Sequence, residues 1–93
     1  MQVEIRADFA LGQIVCTKNA FEALDQSDVL ACLQRHGTCD WGDLTEDDMA
    51  LNELALIDEG RLLSSYVDSR GAKFWIITEW DRSATTVLLP DDY

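Results

Sequence analysis

The hydrophobic period of the chain changes near Gly60: before it apolar residues mostly recur at helical spacing, and after it they alternate. One early segment departs from this rule. Residues 13–17 (QIVCT) are short, β-branched and apolar and follow Gly12, which predicts an edge or first strand. Thr17 or Asn19 then caps a short helix to about Asp25, with Phe21 and Leu24 on one face. Ser27 is the expected cap of a second helix carrying Val29, Leu30 and Leu33, and Gly37 is its natural stop. Arg35 and His36 fall in its last turn, where the helix dipole favours cations. Residues 38–43 (TCDWGD) read as a turn with one large aromatic, Trp41. In the following T-E-D-D, Thr45 is the N-cap and Asp48 the third helical residue, close to a capping box. Leu51 and Leu54, with Ala50 or Ile57, are the expected buried stripe of this third helix, which Gly60 ends.

Beyond Gly60, residues 61–67 (RLLSSYV) predict a strand and residues 68–71 a hairpin turn, with Gly71 at the position needing positive φ. Residues 72–80 (AKFWIITEW) place Phe74, Ile76, Thr78 and Trp80 on one face, and Lys73, Trp75, Ile77 and Glu79 on the other. Apolar side chains on both faces argue for a central strand. Asp81, Arg82 and Ser83 turn the chain into a last strand, residues 84–89, stopped by Pro90. The fold class is therefore α+β: two to three helices in the first half, packed on an antiparallel meander of three to four strands. Neither repeats nor linkers interrupt it, so residues 1–93 read as one domain.

Charge changes the picture more than composition does. Eighteen acids against seven bases give a net −11. Residues 40–59 hold eight of the acids and no base, leaving ten acids and seven bases elsewhere. Such a potential repels phosphate, so direct nucleic-acid binding is disfavoured. No apolar stretch has the roughly 20 residues of a membrane helix. Glu4, Arg6 and Asp8 are too polar for a secretory signal, so a cytoplasmic address is expected. Three cysteines without a CxxC pair, Cys16, Cys32 and Cys39, read as reduced thiols.

A longer pattern stands out. His36, Asp40-Trp41-Gly42-Asp43, Asn52-Glu53 and Gly60-Arg61-Leu62-Leu63-Ser64 with Tyr66 precede Trp75-Ile76-Ile77-Thr78-Glu79, Asp81-Arg82-Ser83, Thr85-Thr86 and Leu88-Leu89-Pro90 with Tyr93. From Phe9 onward this resembles a group of small bacterial proteins encoded on plasmids and integrating elements. Its members often carry the label "plasmid-related protein", and some are called a type I restriction modification subunit. The resemblance implies an accessory protein of mobile DNA and brings no activity with it. The restriction label fails physically: a methyltransferase needs a far larger α/β domain with a glycine-rich loop after its first strand.

Four chemistries bear on these residues. Cys32 and His36 share a helix face, and Cys39 and Cys16 could complete a Cys3His zinc site, but without paired CxxC knuckles no metal is expected. A helix-then-sheet layout is shared with barnase- and RelE-like ribonucleases, which offers an alternative enzymatic reading using His36, Glu79, Arg82, Thr85 and Thr86. In the non-enzymatic reading of the same residues, Arg82 pairs with Glu79 or Asp81. Ser64, Ser65 or a cysteine as nucleophile has only His36 as base. The acidic stretch, finally, reads as a docking surface for a basic protein partner, with Asp40, Trp41, Asp43, Glu46 and Asp47 as contacts and Trp41 as aromatic anchor. Its other reading is a plain solvated face, with Trp41 packed under the helix and its N–H bonded to a carbonyl. The leading expectation is a cofactor-free binding protein rather than an enzyme, and a homodimer is a third alternative.

Overall fold

The computed structural model describes residues 7–93. The first six residues, two of which argued against a secretory signal, lie outside it. In chain order the elements are β1 (Gln13–Cys16), α1 (Lys18–Ala23), α2 (Gln26–Gly37), α3 (Glu46–Asp58), β2 (Leu62–Val67), β3 (Lys73–Thr78), β4 (Ala84–Leu88) and a closing 3₁₀ turn (Pro90–Asp92). The fold is α+β, as the period change requires. Its sheet runs β1-β4-β3-β2. The three late strands form the expected antiparallel meander. β1 crosses over and pairs in parallel with β4, so the sheet is mixed rather than wholly antiparallel. No helix among the described residues is long and apolar enough to cross a membrane.

Pleating sends Leu62, Ser64, Tyr66, Phe74, Ile76, Thr78, Thr85 and Val87 to one face. There α1 and α2 deliver Ala20, Leu24, Val29, Cys32 and Leu33 to the main core, around Tyr66, Phe74, Ile76 and Val87. Thr17 caps α1 as expected, accepting from the Ala20 N–H. The cap of α2 is Asp25 and not Ser27; its carboxylate takes the N–H groups of Ser27 and Asp28. The anionic oxygen outcompetes the hydroxyl, which itself donates to Asp25. Asp68 gathers the N–H groups of Asp25, Arg70 and Ala72, tying α2 to the hairpin turn. Gly71 takes the expected positive φ there.

The third helix departs most from its sequence pattern. Thr45 caps it, yet the expected stripe faces solvent: Leu51 is 63%, Leu54 57% and Ile57 78% exposed. Asn52 and Ala55 point inward instead. Ala55 allows close approach to Trp41 and Leu62 in a second, smaller core. Asn52 meets β2 edge-on, accepting from the Leu63 N–H (3.1 Å) and donating to the Leu63 carbonyl (2.7 Å). Two partly buried backbone groups at a sheet edge gain partners in this way, and the helix face that supplies them is the one turned inward. Replacing Asn52 with alanine strands both groups and is expected to cost about 1–3 kcal/mol, read from urea unfolding. A cost within error of zero would show that water replaces the side chain.

One turn on, the segment after α2 seals the same edge. The Ser65 N–H donates to the Trp41 carbonyl, and the Asp43 N–H donates to the Ser65 carbonyl. Gly42 makes the contact possible. Its φ is +73°, and a Cβ there would sit 2.1 Å from the Ser65 carbonyl oxygen.

Candidate functional site

Two regions hold the residues singled out in the sequence. Inside lies a buried polar chain. His36, at the end of α2, places Nδ1 2.5 Å from Ser64 Oγ on β2 and Nε2 2.8 Å from Thr78 Oγ1 on β3. Thr78 Oγ1 is 2.7 Å from Thr85 Oγ1 on β4, which donates to the Leu11 carbonyl at 2.7 Å. All four side chains have zero exposure. Phe9 and Trp41 close the imidazole edge-on, at centroid distances of 5.4 and 5.6 Å.

The protons in this chain are fixed by counting donors. A carbonyl only accepts, so the single Thr85 proton goes to Leu11. Thr85 Oγ1 must then accept from Thr78, and Thr78 from His36. The imidazole therefore carries its proton on Nε2, and Nδ1 accepts from Ser64. Burial pulls the pKa of His36 down from 6.5 to about 4, keeping the ring neutral. His36 thus does not serve the helix dipole as a cation, the role its last-turn position suggested.

The enzymatic set does not assemble. His36 and Thr85 meet through Thr78 in a place no substrate reaches. Thr86 lies on the opposite sheet face from Thr85. Arg82, at φ +60°, donates to the carbonyls of Ala55, Gly60 and Glu79, and so caps α3. The expected pairing of Arg82 with Glu79 or Asp81 is replaced by these carbonyls, since the end of a helix presents partial negative charge with less desolvation than a carboxylate. Phe9 packs against both His36 and Arg82, 5.9 Å from the guanidinium carbon. Ser64 is spent on Nδ1, and Ser65 Oγ is buried without a partner among the described residues. No cluster of three or more His, Cys, Asp or Glu side chains is arranged to hold a metal among the described residues. Burial raises the pKa of all three thiols, which disfavours thiolate chemistry.

Outside lies the acidic face. Trp41, read in the sequence either as an aromatic anchor or as packed under the helix, is only 3% exposed, in line with the second reading. It packs beneath α3 with Phe9 (6.2 Å, stacked), its indole N–H aimed at Glu53 Oε1 at 3.4 Å. The small Ala55 side chain leaves room for the indole, which packs with it and Leu62 in the smaller core. Asp40 is engaged by Arg35 through two hydrogen bonds of 2.8 and 3.2 Å, which lower its pKa. Asp43, Glu46, Asp47, Asp48, Glu53, Asp58 and Glu59 are exposed. The salt bridges among the described residues join Arg35 to Asp40 and Arg70 to Asp68, and neither touches these seven acids. The face thus consists of α3 and its caps, with Leu51, Leu54 and Ile57 set among the carboxylates. Their exposure was not legible in the sequence, where the same spacing signalled a buried stripe.

A shallow depression along α2, lined by Ser27, Leu30, Ala31, Gln34, Arg35 and Thr38, offers one charge, Arg35, already held by Asp40. No protein-family model, curated protein or solved structure matches the chain.

Proposed function

We propose that this is a small acidic accessory protein of mobile DNA that works by binding a basic protein, without catalysis, through the outer face of α3. One observation carries the reading: three large aliphatic side chains, each more than half exposed, stand on a helix whose flanking carboxylates have no internal cation among the described residues. Apolar surface of this kind, rimmed by charge of a single sign, is a feature of interaction faces. The apolar stripe supplies burial on binding, and the acids supply steering and selectivity for a cationic partner. The mobile-DNA setting is what the resemblance to plasmid-borne proteins implies. A basic, nucleic-acid-binding protein is the partner class that fits both.

The test uses a synthetic lysine-rich amphipathic helical peptide and measures its affinity by titration calorimetry. Asp43→Asn, Glu46→Gln and Asp47→Asn together are expected to weaken binding about tenfold, from several screened contacts of roughly 0.5 kcal/mol each. Leu54→Ser with Ile57→Ser should weaken it by at least as much while leaving the melting temperature nearly unchanged. Affinity unaltered by either set would remove the proposal.

A further inference from the structure

The two edges of the sheet are finished differently. At β2 the outward groups of Leu63 are held by Asn52, and those of Ser65 by Trp41 and Asp43. At β1 the N–H groups of Gln13 and Thr17 turn inward, to Ser83 and Val87 of the β4 side, both at 3.0 Å. The alternation of a strand then sends the N–H and C=O of Ile14 and Cys16 outward. No described residue meets them, and Ile14 is 44% and Val15 40% exposed.

Such an edge is a pairing template, which proteins that avoid pairing guard with a charge, a proline or a very short strand. The four-residue β1 is short, but it carries neither charge nor proline. Residues 9–17 (FALGQIVCT) form an uninterrupted uncharged run in a chain with 25 charged side chains. That composition also identifies the occupant. Two copies at −11 each repel wherever their acids meet, so self-association is least opposed at the uncharged edge. The backbone pattern is self-complementary as well. With two strands antiparallel about a twofold at Val15, Ile14 of each copy faces Cys16 of the other, and all four outward groups of each find partners.

We infer that β1 pairs with β1 of a second copy in this register, joining two four-stranded sheets into one of eight strands. The inference is independent of the α3 docking face, and salt separates the two. Screening strengthens an association between like-charged copies and weakens capture of a cationic peptide.

Sedimentation equilibrium at micromolar concentration should give twice the 10.5 kDa chain mass, with the dimer fraction rising with salt. Val15→Lys should give a folded monomer, because it sets two cations face to face, and its melting temperature should no longer depend on protein concentration as that of the wild type does. The register has its own test. Facing residues at a non-hydrogen-bonded position have Cβ atoms about 5 Å apart, near disulfide reach. Val15→Cys should therefore oxidise to a dimer cross-linked between the two substituted positions, identified by peptide mass spectrometry. It should do so far faster than the control Val67→Cys, 51% exposed on the other edge strand, where Leu63 and Ser65 already have partners. A monomer at high salt, or equal linking rates for the two variants, would overturn the inference.

Discussion

His36→Ala is expected to lower the unfolding free energy by about 3–5 kcal/mol, from cavity and unsatisfied-group terms together. Removing the imidazole opens a void at the junction of α2, β2 and β3, lined by Phe9 and Trp41. It also strands Ser64 and Thr78, whose hydroxyls are fully buried and face the ring nitrogens. Domains of this size have only about 5–15 kcal/mol to lose, so the variant should unfold at much lower urea. Trp41 fluorescence is a direct reporter, because its indole lies against the imidazole. Thr85→Val, which deletes only the last hydroxyl, should cost about 1–3 kcal/mol by leaving the Leu11 carbonyl without its donor. If His36→Ala costs less than Thr85→Val, the imidazole does not hold the buried polar chain together. Nitrogen chemical shifts of the ring should also show the Nε2-protonated neutral form at pH 7.

Acidification is expected to remove about 3 kcal/mol of stability between pH 6.5 and pH 4 through His36 alone. The folded ring holds its proton only below about 4, whereas the unfolded ring takes one near 6.5. In that interval the unfolded state binds more protons, so stability falls as pH falls. The contribution is complete above 6.5 and gone below 4. Asp25, Asp40, Asp68, Asp81 and Asp92, whose pKa values are lowered by hydrogen bonds, act the same way but lower down, beneath the ordinary value of 3.8. Protonating the remaining carboxylates relieves repulsion and works against both. The informative quantity is therefore the difference between the wild type and His36→Gln, which lacks the titrating ring. That difference should shrink steadily from pH 7 to pH 4, and a constant offset would show that the buried ring does not stay neutral.

The enzymatic alternative depended on His36, Glu79, Arg82 and two threonines converging. Their spacing in the sequence allowed it, because residues far apart in the chain have no fixed relation until strands are registered. The register decides otherwise: Thr85 and Thr86 are neighbours in sequence and opposite in space. His36 illustrates the same limit. A lone histidine in a helix's last turn looks like a dipole cation, and only the strands packed over it turn it into a neutral core residue.

Local signals were strong enough to specify much of this protein without tertiary help. Thr17 and Thr45 as caps and Gly71 in its turn rest on contacts within a few residues, and the three-strand meander follows from the change of period at Gly60 and the short turns between successive strands. The concentration of acid in residues 40–59 is likewise a property of the sequence alone. Tertiary structure decided which side of α3 turns inward, where Trp41 lies and how β1 joins the sheet. Each of these depends on a distant partner: Leu63 for Asn52, Ala55 for Trp41, β4 for β1. Periodicity shows that a helix has an apolar stripe, but a sheet edge with unsatisfied backbone groups can claim the other side, and the stripe is then left facing water.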